Sequence, residues 1–327
     1  MILAGDIGGT KTVLALFSRE AGPHQILEKK KYRSKKYDSL DSIVQEFVAE
    51  FGADIEAASF GVAGPVQHNR VHVTNLPWIV DGAALSQALA GAPVHLLNDL
   101  QAIANAVPIL EGEDLHTLQI GEADPQGAIG VIAPGTGLGE AFLVWNGRHH
   151  QAYPSEGGHT DFAPRNTLEF GLLQYLRQKY NRVSYERVCS GIGMPNIYAY
   201  LRDSEQTPEV EAVKAQLADA DDWTPIIVAA AVAGQSPLCQ ATLDLFISIL
   251  GAEAGNLALK LLATGGIYLG GGIPPRILPQ IEASDFLASF QRKGRFAPLL
   301  AKMPVHIILS PQAALYGAAR DALESKK

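Results

Sequence analysis

Ile2-Leu3-Ala4-Gly5-Asp6-Ile7-Gly8-Gly9-Thr10-Lys11-Thr12-Val13-Leu14-Ala15-Leu16-Phe17 opens the chain with two short apolar runs, 2–5 and 13–17, joined by Asp6-Ile7-Gly8-Gly9-Thr10. The second run returns as a strand, so the link is a hairpin turn. Gly8 and Gly9 lack the Cβ groups that would hold a phosphate off the backbone, and Thr10 adds a hydroxyl donor. Asp6 sits where a carboxylate can hold a metal, directly or through water. The loop is not a Walker A, because Lys11 follows Thr10 and no G-x-x-x-x-G-K is present. Nor is it a dinucleotide fingerprint, which needs a helix after the glycines. A plain hairpin turn accounts for the same residues.

The same order starts again further on. A strand at 128–133 leads into Pro134-Gly135-Thr136-Gly137-Leu138-Gly139 and then into a strand at 141–145. Two strand–Gly-turn–strand units in one chain suggest a nucleotide clamped between two lobes, the alternative being two unrelated turns. A third cluster, Gly270-Gly271-Gly272, lies between a strand and Pro274-Pro275. Its open backbone could admit a flat adenine or a ribose, or be no more than a tight turn.

Around these loops the pattern alternates strand and helix. Leu40, Ile43, Val44, Phe47, Val48 and Phe51 recur at helical spacing. Strands are expected at 57–62, 71–73, 94–97 and 305–309, and Asp81 is placed to cap a helix through Leu89. The strand at 94–97 stops at Asn98-Asp99, and a helix begins near Leu100. A helix-rich stretch covers 167–263, and a last helix covers 312–323.

Composition narrows the class. The 327 residues suffice for two cores, with 47% hydrophobic and 18% charged residues. A net charge of -8 argues against nucleic acid or an anionic membrane as partner. Cys189 and Cys239 form neither a metal-ligand spacing nor a disulfide framework, which fits a cytoplasmic protein. The N-terminus has no signal-like pattern. The apolar stretch 238–263 carries Asp244, Glu253, Asn256 and Lys260, which argues for a buried amphipathic helix and against a membrane span.

Asp6 to Thr10, Asn98-Asp99 and Pro134 to Gly139 resemble the phosphate and catalytic motifs of the actin/hexokinase/Hsp70 ATPase superfamily. Leu97-Asn98-Asp99-Leu100-Gln101-Ala102, Ser155-Glu156-Gly157-Gly158-His159-Thr160-Asp161-Phe162-Ala163-Pro164 and Tyr185-Glu186-Arg187-Val188-Cys189-Ser190-Gly191 together resemble the bacterial glucokinase family, in the family's order and over nearly the whole chain. One departure is Gly191-Ile192-Gly193, where the family often has Gly-Pro-Gly. The related ROK group carries a cysteine-rich zinc site after a Gly-His motif. No such cysteines follow His159, and no structural zinc is expected.

The resemblance implies an α/β, two-lobe actin-like ATPase (ribonuclease H-like) fold with a nucleotide and sugar cleft between the lobes. The small lobe should take 1–109 with the C-terminal segment 301–327, and the large lobe 110–300. It implies ATP with Mg²⁺ on Asp6, Gly8, Gly9, Thr10, Gly135, Thr136, Gly137, Gly271 and Gly272, glucose on Asn98, Asp99, Glu156, His159 and Glu186, and a homodimer. A closure of the lobes on the sugar would keep water from the phosphoryl donor.

The residue types suit those roles. Asp99 lies just past a strand end, where a carboxylate can accept the sugar 6-hydroxyl and take its proton, or simply cap the helix that follows. Asn98 offers a donor and an acceptor side by side, and Glu156 and Glu186 offer acceptor pairs. Glu186 could equally be a solvated carboxylate. His159, with His149, His150 and Asp161 near in sequence, could be a metal ligand or a core histidine. Against a hexose kinase stand a sugar-sensing regulator with little turnover and a chaperone-like ATPase. The first would be expected to carry a DNA-binding head and the second a substrate-binding extension, and neither is read in this sequence. Mannose and glucosamine stand beside glucose as candidate acceptors, and polyphosphate beside ATP as candidate donor.

Overall fold

The computed structural model describes residues 1–204 and 207–324. The last three residues of the expected C-terminal segment lie outside them. Strands in chain order are β1 (Ile2–Ile7), β2 (Lys11–Phe17), β3 (Glu28–Arg33), β4 (Ala57–Val62), β5 (Arg70–His72), β6 (Ile79–Asp81), β7 (Val94–Asn98), β8 (Leu115–Gln119), β9 (Ile129–Pro134), β10 (Leu138–Trp145), β11 (His150–Ser155), β12 (Gly266–Leu269) and β13 (Val305–Ile308). Helices α1 (Leu40–Phe51), α2 (Gly82–Ala88) and α3 (Asp99–Ala106) fall in the first third. Next come α4 (Thr167–Arg177), α5 (Met194–Asp203), α6 (Glu211–Ala218), α7 (Thr224–Val232) and α8 (Pro237–Leu261). Short helices α9 (Leu278–Glu282), α10 (Phe286–Gln291) and α11 (Ala297–Leu300) precede α12 (Ala313–Glu324).

The chain divides into two compact units. The first holds 1–115, 143–154 and the C-terminal segment from 310, and the second holds 116–142 and 155–309. In the first, a five-stranded sheet runs β3-β2-β1-β4-β7, and β5 and β6 form a separate ladder. β1, β4 and β7 are parallel, while β1–β2 is the expected antiparallel hairpin. Both faces are covered, which is why these strands read as continuous apolar runs. Leu3 and Ile7 pack with Ile43, Val44 and Phe47 of α1, and Ile2 and Ala4 pack with Leu315, Ala318 and Ala319 of α12. Helix α1 starts on Ser39, whose Oγ accepts the Ser42 N–H at 3.3 Å, and stops on Gly52 at φ 59°. The short strand β6 escaped the sequence pattern, because three residues are too few to show a period.

The second unit is built on the parallel strands β9, β12 and β13, part of a sheet of order β11-β10-β9-β12-β13-β8. Its core centres on α8, expected as amphipathic. The structure corrects this: α8 is buried on most of its circumference, and Glu253 is wholly inside. In length and composition α8 could cross a membrane, but 78% of its apolar window is buried in the protein. Among the described residues no group of three or more His, Cys, Asp or Glu is placed to hold a metal.

Candidate active site

In the first unit, sheet register sets one working edge. Asp6 pairs with Gly61 across β1–β4, and Gly61 with Leu97 across β4–β7, so the parallel strands release Asp6-Ile7 and Asn98-Asp99 at the same end. Strand alternation puts Asp6 on the face that Ile2 and Ala4 present to α12. The glycine turn is held from inside. Gly8 N–H donates to Lys11 O at 2.9 Å, and the Ser34 hydroxyl donates to Gly8 O at 2.7 Å. Ser34 N–H donates to Thr10 O at 3.2 Å. A Cβ on Gly9 would stand 3.2 Å from Asn75 Cβ and 3.3 Å from Thr74 O, so the turn lies close against that segment.

Asn98 and Asp99 share the start of α3. Asn98, not Asp99, occupies the N-cap position. Both side chains accept the Leu100 N–H, at 3.0 Å from Asn98 Oδ1 and 2.8 Å from Asp99 Oδ1. Asn98 Nδ2 donates to Gly64 O at 3.1 Å. Helix α3 is itself seated by two glycines. A Cβ on Gly61 would stand 2.7 Å from Ala102 Cβ, and one on Gly317 would collide with the Ala102 carbonyl oxygen. Burial pushes the Asp99 carboxyl above the usual carboxylate range, the Leu100 N–H pulls it partly back, and the charge of Asp6 adds to the rise. Burial likewise raises Asp6, offset in part by Lys11.

In the second unit, the turn after β9 is braced from two sides. On one side the Gly270 N–H donates to Ile132 O at 2.9 Å, and Gly271, at φ 80°, lies so close that a Cβ would stand 2.5 Å from Pro134 O. Only glycine permits both that φ and that approach. On the other side Gly191 N–H donates to Gly135 O at 2.8 Å and Ile192 N–H to Thr136 O at 3.0 Å. The departure at Gly191-Ile192-Gly193 therefore buttresses the second glycine turn. The backbone of Gly135 and of Gly272 is open, with nothing within 4 Å of a built Cβ.

Glu156, His159 and Glu186 come together beside this turn. Glu186 Oε2 accepts the Leu138 N–H at 3.1 Å, which leaves Oε1 turned toward His159 Nδ1 at 3.8 Å. His159 Nε2 stands 3.8 Å from Glu156 Oε2. Both separations are too long for hydrogen bonds. Side-chain exposure is 82% at Glu156, 53% at His159 and 18% at Glu186, so Glu186 is held and the other two are open. The solvated-carboxylate reading of Glu186 is thereby corrected.

Sequence reading gave no role to Ser34 or Gly64, whose hydroxyl and carbonyl hold the first loop and Asn98, and named Gly191 only as part of a motif and of a departure from the family pattern; nothing in residue type marks such roles. It also passed over Glu140, which left a signal: a charged residue inside the apolar strand β10.

A model of the family described as "Glucokinase" matches residues 3–325. The glucokinase of Nostoc punctiforme is 46% identical over 98% of each chain, and that of Synechocystis sp. is 40% identical over 99% of this chain and 98% of the other. The crystal structure of a glucokinase from an Antarctic psychrotroph aligns with a TM-score of 0.88 at 31% identity, covering 99% of both chains. The chain belongs to the glucokinase family. It is by that membership an ATP-dependent hexose kinase on the actin-like two-lobe fold.

For a glucokinase-family protein, the open backbone at Gly135 makes a direct prediction. Gly135→Ala should keep its stability to within about 0.5 kcal/mol, since the methyl meets no protein atom. It should raise KM for the phosphoryl donor while leaving the glucose affinity close to wild type. Melting curves and steady-state kinetics check it, and a donor KM equal to wild type would remove this turn from phosphate binding.

Proposed function

We propose that the chain transfers the γ-phosphoryl group of ATP to the 6-hydroxyl of glucose, giving glucose 6-phosphate and ADP, with Asp99 as general base. The observation that carries this is the placement of Asp99: a desolvated carboxylate at the carboxyl edge of a parallel sheet, directly after Asn98, which lies in register with Ile7 through Val62 of the strand between. A base whose proton affinity is raised by burial suits an alcohol nucleophile.

In this reading the Asp99 carboxylate accepts the hydrogen of the 6-hydroxyl and takes the proton as the O6–P bond forms and the bond to the ADP oxygen breaks. Asn98, fixed through Gly64 and Leu100, presents its amide to the adjacent hydroxyl. Glu156, His159 and the free oxygen of Glu186 supply acceptors and a donor to the remaining hydroxyls. Gly9 and Thr10, with Thr136 and Gly137, offer N–H and hydroxyl donors to phosphate oxygens; Gly8 and Gly135, whose own N–H groups close their turns on Lys11 O and Gly137 O, lack the Cβ that would hold a phosphate away, and Gly271 and Gly272 offer open backbone to the base and ribose.

The residues present fit a magnesium ion, because the raised affinity of desolvated Asp6 for a proton is the demand a cation answers. Asp6, directly or through water, would hold it, and the ion supplies charge neutralisation at the donor's phosphates. The two buried thiols, Cys189 and Cys239, support a reducing cytoplasmic setting. A homodimer and a place at the head of glycolysis complete the reading; sedimentation of the pure chain checks the former.

The test is glucose 6-phosphate formation from Mg·ATP and glucose, with mannose, glucosamine and polyphosphate as competitors. Turnover selective for glucose and ATP supports the proposal. Glucose binding without turnover would move the chain to a sugar sensor, and preferential turnover of another hexose would reassign the substrate.

A further inference from the structure

Behind the sugar-ligand residues of the second unit lies a buried acidic pair that the proposed chemistry does not use. Glu140 on β10 is 2% exposed and Glu253 on α8 is 0% exposed. A Cβ on Gly157 would collide with Glu140 Oε2, so this carboxyl packs directly under the turn that runs from Glu156 to His159. The two carboxyls are unequally served. Glu253 accepts from Asn256 Nδ2 at 2.7 Å, from Lys260 Nζ at 3.4 Å and from the Tyr185 hydroxyl. Glu140 Oε1 is buried with no hydrogen-bond partner. A carboxylate stripped of water and given no donor is costly, and Glu253, its neighbour, has only acceptors to offer. One proton resolves both problems if Glu140 carries it, because the Glu140 O–H can then donate to an already well-solvated Glu253 anion.

We propose that Glu140 is a positioning residue for sugar binding: it holds a proton shared with Glu253 and, in that state, seats the turn carrying Glu156 and His159. The inference rests on the reading of Glu156 and His159 as hexose ligands. Burial, then the charge of Glu253, push the Glu140 carboxyl up to about 7, so the proton is present in mildly acidic solution and lost in alkaline. Its loss puts two anions side by side under the turn.

The other charged and titratable groups facing the pair are few. Besides Glu253, α8 contributes Lys260. The 185–189 segment contributes Tyr185 and the Cys189 thiol, both raised by burial and by the carboxyls. Lys293 bonds Asn256 Oδ1 and Ala252 O, and burial pulls its ammonium down to about 8. Arg165, which Lys293 feels, is paired with Glu169. On the sugar side stand Glu156, His159 and Glu186.

The experiment measures glucose affinity by calorimetry, and KM and kcat, at pH 6 and pH 8.5 for the full chain and for Glu140→Gln. The amide mimics the protonated acid and cannot lose a proton. Wild type should lose about tenfold more glucose affinity across that range than the variant, the scale of one pKa unit of coupling. At pH 6 the variant's kcat should match wild type within about twofold. Taking the difference removes the proton exchange of the ligand groups and of Lys293, common to both proteins. A variant that keeps the wild-type pH slope overturns the proposal.

Infrared difference spectra in D₂O give a readout independent of sugar. Wild type should show a buried protonated carboxyl band at pH 6 that fades by pH 8.5 and is missing in Glu140→Gln; its absence from wild type overturns the proposal. Should Glu140→Gln fold poorly, Glu253→Gln serves instead, since its amide donates to an ionised Glu140 and should abolish the same band and slope. A wild type that shows the band but never binds glucose would sink the reading of Glu156 and His159, and the positioning role with it, while leaving the shared proton in place.

Discussion

Asp99→Asn should lose about 10²-fold or more in kcat, the range of general-base contributions, while gaining thermal stability at neutral pH. The two effects share one cause. Burial raises the proton affinity of Asp99 in the folded chain above that in the unfolded chain. The folded state therefore binds the proton more tightly, and stability falls as pH rises from the ordinary carboxylate range through the raised value. Above that window the wild type carries the full cost of an ionised, desolvated group beside Asp6, and asparagine does not. The amide oxygen can still accept the Leu100 N–H that Asp99 Oδ1 accepts now, so the start of α3 is preserved. The melting temperature of the variant should exceed that of wild type at pH 7–8, and the gap should close on acidification. The same shift places the acid limb of wild-type activity above the ordinary carboxylate range, because only the anion takes a proton. Full activity in Asp99→Asn would remove the residue from its role; equal melting curves at all pH values would deny the desolvation argument.

Gly317→Ala is expected to be the most damaging single methyl group in the first unit. Its Cβ would overlap the carbonyl oxygen of Ala102, with Ala106 N 2.8 Å away, so the obstacle is backbone. A flexible side chain could swing aside, but α3 can only shift as a body. Overpacking of this kind costs about 1–3 kcal/mol, and here the cost should reach the upper end or beyond. Because α3 begins at Asp99, the shift also moves the proposed base, and misplacement of a catalytic group costs rate steeply. Urea denaturation should show the lost stability. The surviving folded fraction should show a kcat deficit with glucose KM less affected. Gly52→Ala is the control: it has no atom within 4 Å of the new Cβ and suffers only from its positive φ. Gly317→Ala with wild-type stability would mean that α12 and α3 can separate freely.

Much of this was legible in the chain itself. Glycine turns show because only glycine removes Cβ, strands covered on both faces show as unbroken apolar runs, and Asp81 shows as a helix start because a side-chain oxygen beside a free N–H has a fixed sequence offset. These are local signals, read within a few residues. The sequence by itself therefore determined the two glycine hairpins, the Asn98-Asp99 strand end and the family to which the chain belongs.

Tertiary structure alone decided the rest, because it depends on which distant residues meet. That Glu186 spends one oxygen on the Leu138 N–H and keeps the other, that Gly317 admits Ala102, and that Glu140 lies buried without a donor and feels the charge of Glu253 follow from packing between segments far apart in the chain. A carboxylate's sequence neighbours do not state its burial or its donors, and those two quantities set whether it is a ligand, a base or a keeper of a proton.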